Sequence, residues 1–85
     1  MMKMKIFRYN VVIRKEDKHY IADVPTLGIS DFGGTLEAAK KNIKGAIECH
    51  IEGLMKTHTA IPRPDTDDYY ISTTEIHIPS TAQFA

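Results

Sequence analysis

With 85 residues, 11 basic and 11 acidic side chains and a net charge of zero, the chain fits one small folded domain and lacks the positive charge typical of nucleic-acid-binding proteins. Its one cysteine, Cys49, excludes an intrachain disulfide framework and an all-cysteine zinc site. No apolar run approaches the roughly 20 residues that span a bilayer, and the basic N-terminus has no signal-peptide core, so we expect a cytoplasmic protein.

Two strand-like runs open the chain and predict a β-hairpin. Residues 6–14 and 19–24 are rich in the β-branched and aromatic side chains that favour strands. The charged residues 15–18 between them are typical of a short turn. Alternation along the second strand predicts that Tyr20, Ala22 and Val24 share one face.

A third short strand is predicted over residues 29–32. Pro25 ends the second strand because it has no N–H for a ladder hydrogen bond, and residues 26–28 are predicted to form a turn. Ile29 and Asp31 should face one side of the sheet, opposite Ser30 and Phe32. The glycines at positions 33 and 34 end this strand.

The clearest periodic pattern predicts a helix from Leu36 to about Lys56. Thr35, directly before it, is a good N-cap because its hydroxyl can accept a hydrogen bond from a free N–H of the first turn. Apolar side chains recur at spacings of three and four, which is typical of an amphipathic helix with one buried stripe. That stripe consists of Leu36, Ala39, Ile43, Ile47, His50 and Leu54.

A last strand-like run covers residues 69–78 and ends at Pro79, and residues 80–85 are predicted to be a loose tail. We therefore predict one domain over residues 1–79 with the element order β-β-β-α-β. This is an α+β fold, in which an antiparallel three-stranded meander is followed by one crossover helix and a fourth strand. A right-handed crossover would lay the fourth strand beside the first, giving the sheet order 3-2-1-4.

This ordered pattern resembles the N-terminal domain of HicB antitoxins and their stand-alone HicB-like relatives. The resemblance covers residues 9–64 and depends on the order of several short segments rather than on any one of them. The segments are Tyr9 with Val11-Val12-Ile13, Tyr20-Ile21-Ala22-Asp23-Val24-Pro25, Leu27-Gly28, Gly34-Thr35-Leu36-Glu37-Ala38-Ala39, Asn42-Ile43, Ala46-Ile47-Glu48, His50-Ile51-Glu52 and Ile61-Pro62-Arg63-Pro64.

The resemblance implies a truncated RNase H-like fold, in agreement with the predicted topology. It also implies a partner, since HicB proteins bind and neutralise HicA, a small basic toxin with a double-stranded-RNA-binding-like fold that cleaves mRNA with a histidine. Family members commonly form dimers or tetramers, so a homodimer or homotetramer is expected. The sequence is thus interpreted as a type II toxin–antitoxin system antitoxin: a binding protein without a cofactor, and not an enzyme.

Two features depart from the family pattern. Full HicB antitoxins usually carry a C-terminal helix-turn-helix or ribbon-helix-helix domain that binds DNA, whereas this sequence stops about 20 residues after Pro64. Direct DNA binding is therefore not expected. Many antitoxins are also acidic, whereas this chain is neutral, so capture of a basic toxin would require a local acidic patch.

The candidate partner-binding residues are acidic, because carboxylates would complement a basic toxin surface and speed its capture. They are Glu16, Asp17, Asp23 and Asp31. An ordinary solvated surface is the alternative interpretation of the same residues. No catalytic or metal-ligating residue is predicted.

Two other functions stay open from the sequence. One is a solitary HicB-like domain without a cognate toxin, which assembles into oligomers and binds some other protein. The other is a metal-dependent nuclease in which Asp23, Asp31 and Glu37 would hold Mg²⁺, although each carboxylate also suits an ordinary structural position. Cys49 and His50 point about 100° apart on the predicted helix, so we predict no metal site there.

Overall fold

The computed structural model describes residues 4–66, 70 and 72–83. Within them the chain forms three strands and one helix: β1 (Val12–Glu16), β2 (His19–Val24), β3 (Ile29–Gly33) and α1 (Leu36–Lys56). The sheet order is β1-β2-β3, and both strand pairs are antiparallel. The predicted α+β architecture, a three-stranded antiparallel meander followed by one helix, is confirmed.

The first strand begins and ends later than predicted, at Val12–Glu16 instead of residues 6–14. The pairing of β1 with β2 explains this shift in its bounds. Val12 lies opposite Asp23, so pairing cannot extend much further before β2 reaches Pro25, which has no N–H to donate. At the other end, Lys15 and Glu16 pair with β2, and the turn is reduced to Asp17 and Lys18. Asp17 takes the left-handed φ of 53° that this short turn requires.

A tight turn over residues 25–28 joins β2 to β3. The carbonyl of Val24 accepts hydrogen bonds from the N–H groups of Leu27 at 3.1 Å and Gly28 at 2.9 Å. Gly28 has a φ of 66°, a region that glycine enters without steric cost. Leu27 is buried by this turn and joins the core.

The helix has the predicted bounds and the predicted N-cap. The Thr35 hydroxyl accepts a hydrogen bond from the Ala38 N–H at 3.0 Å, which satisfies one of the free donors of the first turn. The helix lies mainly over β3 and to a smaller extent over β2. Burial of the predicted stripe is complete only at Ala39 and Ile43, whereas Leu36 in the first turn is 41% exposed.

The core lies between α1 and one face of the sheet. Tyr20, Ala22 and Val24 face the helix as predicted, since Ala22 and Val24 are fully buried and Tyr20 packs against them. The buried side chains of the described residues are Ala22, Val24, Leu27, Ala39 and Ile43. Such a thin core gives a small stability margin. No helix of the described residues is long and apolar enough to cross a membrane.

A glycine brings the helix close to β3. A Cβ atom built on Gly33 would lie 2.5 Å from the backbone nitrogen of Ala39 and 2.8 Å from the Cβ of Ala38. The Asn42 side chain secures the same contact by donating a hydrogen bond to the Phe32 carbonyl at 2.8 Å. The absence of a side chain at position 33 is therefore a packing requirement, and not only the end of a strand.

The predicted fourth strand, residues 69–78, is not formed in the part that the structure describes. Tyr69 and Ile71 lie outside the described residues; residues 70 and 72–78 are exposed and have no strand conformation. A strand needs a partner for its N–H and C=O groups, and this segment pairs with none of the three strands among the described residues. The chain does return beside the start of β1, where the Asp65 N–H donates to the Arg8 carbonyl at 2.8 Å, but strand pairing does not continue from there.

Candidate partner-binding surface

One face of the sheet is left open by the helix. Because side chains alternate along a strand, the neighbours of the buried Ala22 and Val24 point away from α1. The register of the two strand pairs joins these outward side chains into one surface, which we call the open face. It consists of Val12, Arg14, Glu16, His19, Ile21, Asp23, Ser30 and Phe32.

A small charge cluster occupies the β1 side of the open face. Nε of Arg14 lies 3.4 Å from a carboxylate oxygen of Glu16, and a terminal guanidinium nitrogen of Arg14 forms a close ion pair with Asp23. The guanidinium thus bridges two carboxylates on adjacent strands. The Arg14 and Glu16 side chains are more than half exposed and that of Asp23 is 36% exposed, so the ion pairs add little to stability.

The β3 side of the open face is apolar. Phe32 is 61% exposed and lies directly across from Ile21 in the strand register. The ring of His19 meets the ring of Phe32 edge to face, with centroids 5.9 Å apart and an interplanar angle of 81°. An exposed aromatic ring beside aliphatic and charged neighbours is the kind of surface that protein partners bury.

The four acidic residues predicted for partner binding do not form one patch. Glu16 and Asp23 lie together on the open face around Arg14, and Asp17 lies beside them at the tip of the β1–β2 turn. Asp31 pairs with the buried Ala22 and therefore lies on the helix side of the sheet, where its carboxylate accepts a hydrogen bond from the Phe32 N–H at 2.8 Å. The sequence did not reveal the contribution of Arg14, Phe32 and His19, which depends on the strand register.

A second set of contacts, centred on Asp65, was also missed from the sequence. Its carboxylate accepts hydrogen bonds from the Asn10 N–H at 2.6 Å and from the Thr26 hydroxyl at 2.7 Å, while its own N–H reaches Arg8. Asp65 therefore joins the segment before β1, the β2–β3 turn and the segment after the helix. No local pattern marks it, because its partners lie 39 to 57 residues away along the chain.

Tyr9 also connects the segment before β1 to the segment after the helix. We call its contact and those of Asp65 the junction. The Tyr9 hydroxyl donates a hydrogen bond to the Pro62 carbonyl at 2.7 Å. Burial raises the pKa of the Tyr9 phenol, and the negative charge of Asp65 raises this pKa further. The junction thus holds Tyr9 in its neutral, donating form.

The carboxylates of the nuclease alternative are not gathered into a metal site. Asp23 and Asp31 lie on opposite faces of the sheet, and the Glu37 side chain is 82% exposed in the first turn of α1. Among the described residues, no group of three or more histidine, cysteine, aspartate or glutamate side chains could hold a metal ion. Cys49 is exposed on the helix, and His50 is half-buried.

Comparison with known proteins gives two relatives. The chain is similar to the UPF0150 protein Ta0767 of Thermoplasma acidophilum, with 41% identity over 63 residues that cover 72% of this chain and 91% of the relative. It is also similar to an uncharacterised 14.9 kDa protein from the rep-hol intergenic region of Haemophilus phage HP1, with 34% identity over 68 residues. That match covers 79% of this chain but only 51% of the phage protein, so the chain spans about half of that relative's length. No family model matches the chain, and no solved structure gives a significant match.

Proposed function

Starting from the fact that the chain belongs to the UPF0150 family, we propose that it is a protein-binding module of the HicB antitoxin type. In this proposal it captures a small, basic, HicA-like ribonuclease and blocks the surface with which that toxin cleaves mRNA. The observation that carries the proposal is the open face, where Phe32 and Ile21 adjoin a cluster of charges.

The open face has the anatomy of a binding surface. Phe32 is an exposed aromatic side chain on its β3 side, and aromatic residues supply much of the energy in many protein interfaces. Glu16 and Asp23 form a carboxylate rim that favours a basic partner and speeds encounter with it. Arg14 neutralises part of this charge, and it also holds both carboxylates in fixed positions before a partner arrives.

Inhibition in this scheme needs no chemistry from the chain itself. When a partner is docked on the sheet, RNA cannot reach the partner's active site for as long as the complex lasts. The strength of inhibition is then set by the dissociation rate, which depends mainly on the buried anchor and not on the exposed charges.

Co-expression with a small basic protein tests the proposal. The partner to use is the product of a neighbouring reading frame of about 60–80 residues, the size that the family resemblance implies. We expect a stable complex in a pull-down and relief of the growth arrest that the basic protein causes alone. Failure of the unmodified chain to form a complex or to restore growth would overturn the antitoxin proposal.

A matched pair of variants tests the surface. Phe32→Ala should weaken the complex at least 10-fold, because it removes the anchor without disturbing the core. Tyr70→Ala removes another exposed aromatic ring, 88% exposed and outside the open face, and should leave affinity unchanged. Equal loss in both variants would exclude the open face as the docking surface.

The exposed apolar side chains of the C-terminal segment favour a second candidate. Ile76 is 76% exposed and Ile78 is 49% exposed, and these two apolar side chains would be removed from water if the segment packed against another chain. A solitary HicB-like domain, which assembles into oligomers and binds a protein other than a toxin, would account for them. Absence of any toxin-like neighbour, together with stable self-association, would favour this candidate over the first.

A further inference from the structure

β3 lies at the edge of the described sheet. Among the described residues it pairs with β2 along one side and with no strand along the other. An edge of this kind offers free N–H and C=O groups and is a template on which a further strand can add. The state of these groups on β3 therefore decides whether an extended segment of another chain can pair with it.

Side chains occupy both backbone groups of Phe32. The carboxylate of Asp31 accepts a hydrogen bond from the Phe32 N–H at 2.8 Å. The side-chain nitrogen of Asn42 donates a hydrogen bond to the Phe32 carbonyl, also at 2.8 Å. We infer that both groups of Phe32 point away from β2, towards the outer edge, where these side chains can reach them.

This orientation leaves one other residue of β3 facing outward. Successive residues of an antiparallel pair direct their backbone groups alternately towards the partner strand and away from it. Within β3, Ser30 therefore faces the same way as Phe32. A strand that added to this edge would need the backbone groups of both residues, and those of Phe32 are already bonded.

Two elements place the side chains that bind Phe32. Asp31 lies opposite Ala22 and so on the helix side of the sheet, and an inward-pointing charge on an edge strand is one of the devices that discourage strand addition. Asn42 comes from α1, which approaches β3 closely because Gly33 has no side chain to hold the helix away.

We propose that Asp31 and Asn42 form an edge block, which closes β3 to strand addition by another polypeptide. The block gives Asp31 a role other than the partner contact predicted from the sequence. It leaves the ring of Phe32 61% exposed, so this residue offers a partner its side chain but not its backbone. If the chain captures a toxin as in the proposed function, on which this consequence rests, docking uses the side chains of the open face and not pairing with β3.

Amide hydrogen exchange tests the Asp31 half of the edge block on the chain alone. Asp31→Ala leaves the Phe32 N–H without its acceptor, and we expect this amide to exchange about 5-fold faster or more, after correction for the intrinsic effect of the changed side chain. Asp31→Asn keeps an oxygen acceptor and should stay close to the unmodified rate. Equal exchange in Asp31→Ala and the unmodified chain would overturn the proposal.

Sedimentation velocity at high micromolar concentration measures strand addition itself. Asp31→Ala combined with Asn42→Ala frees both backbone groups of Phe32, so two such chains can pair through their β3 edges. We expect this double variant to form a concentration-dependent species beyond any assembly of the unmodified chain. Glu48→Ala, which removes one carboxylate from an exposed position of α1, should sediment like the unmodified chain. A double variant that also sediments like the unmodified chain would refute the edge block.

A proline at position 30 identifies the surface that associates. Proline has no N–H and is tolerated on an edge strand where that group faces solvent, as it does at Ser30. Adding Ser30→Pro to the double variant should weaken the new association about 10-fold or more, because the edge loses its other outward donor. Association that persists with Ser30→Pro would place the contact elsewhere and contradict the proposal. Circular dichroism of every variant should match that of the unmodified protein, because none of the changed side chains belongs to the core.

Discussion

The hydroxyl of Thr26 lies 2.7 Å from Oδ1 of Asp65, although 39 residues separate them along the chain. Through this contact the turn between β2 and β3 meets the segment that follows the helix. The other carboxylate oxygen of Asp65 accepts a hydrogen bond from the backbone N–H of Asn10. One side chain therefore connects three parts of the chain that lie outside the strands and the helix. Several of the protein's expected properties depend on this junction.

Loss of the Asp65 carboxylate should destabilise the protein. Asp65→Ala removes two accepted hydrogen bonds, and we expect the free energy of unfolding to fall by about 1–2 kcal/mol. Urea denaturation of Asp65→Ala, Thr26→Val and the double variant measures how much of this comes from the pair. The double variant should lose less than the sum of the two single losses. Strictly additive losses would show that the two side chains do not interact in solution.

Tyr9 should make stability depend on alkaline pH. Burial and Asp65 raise the Tyr9 pKa above its ordinary value near 10, so the folded state holds the phenol proton more tightly than the unfolded state does. The contribution of the neutral Tyr9 phenol to the free energy of unfolding is complete below about pH 10 and is lost as pH rises through the folded-state pKa.

Urea titrations between pH 8 and pH 11 measure this loss. Tyr9→Phe should be less stable than the unmodified protein at pH 8, because the hydrogen bond to Pro62 is gone, but should lose less stability on going to pH 11. An identical pH profile in both proteins would assign the alkaline loss to other groups.

Adjacent glycines should respond differently to the same substitution. Gly33→Ala forces a methyl group against the backbone of α1, and we expect a loss of about 1–3 kcal/mol. Gly34→Ala meets no atom within 4 Å and should change stability by much less. Thermal unfolding of both variants makes the comparison. Equal effects would mean that the helix does not pack as closely on β3 as described.

Removal of the helix cap should have a moderate cost. Thr35→Ala deletes the acceptor for the Ala38 N–H and should reduce the free energy of unfolding by about 1 kcal/mol. Thr35→Ser keeps the hydroxyl and should restore most of it. Chemical denaturation followed by circular dichroism distinguishes the two. No difference between alanine and serine would show that the cap contributes nothing.

Features encoded by neighbouring residues were predicted correctly. The bounds of α1 follow from the spacing of its apolar residues and from Thr35, all of which lie within or next to the helix. The faces of β2 and β3 follow from simple alternation. These elements need no knowledge of distant parts of the chain.

Features set by distant partners were missed or misplaced. The start of β1 depends on where β2 reaches Pro25, and so the prediction placed it too early. The predicted fourth strand does not pair with any strand of the described chain, so its own β propensity was not enough to form it. The candidate site also depends on distant pairing. Glu16 and Asp23 were predicted as binding residues, but their ion pairs with Arg14 depend on the β1–β2 register, which the two-residue turn sets.

The hydrogen bond between Arg8 and Asp65 has a mechanical consequence. It ties the segment that enters the domain to the segment that leaves it, so the strands and helix between them form a closed loop. Tension applied between the two ends of the chain would load the contacts of Asp65 first and would reach the sheet only after they broke. A few polar contacts at the surface thus shield the small core from pulling forces.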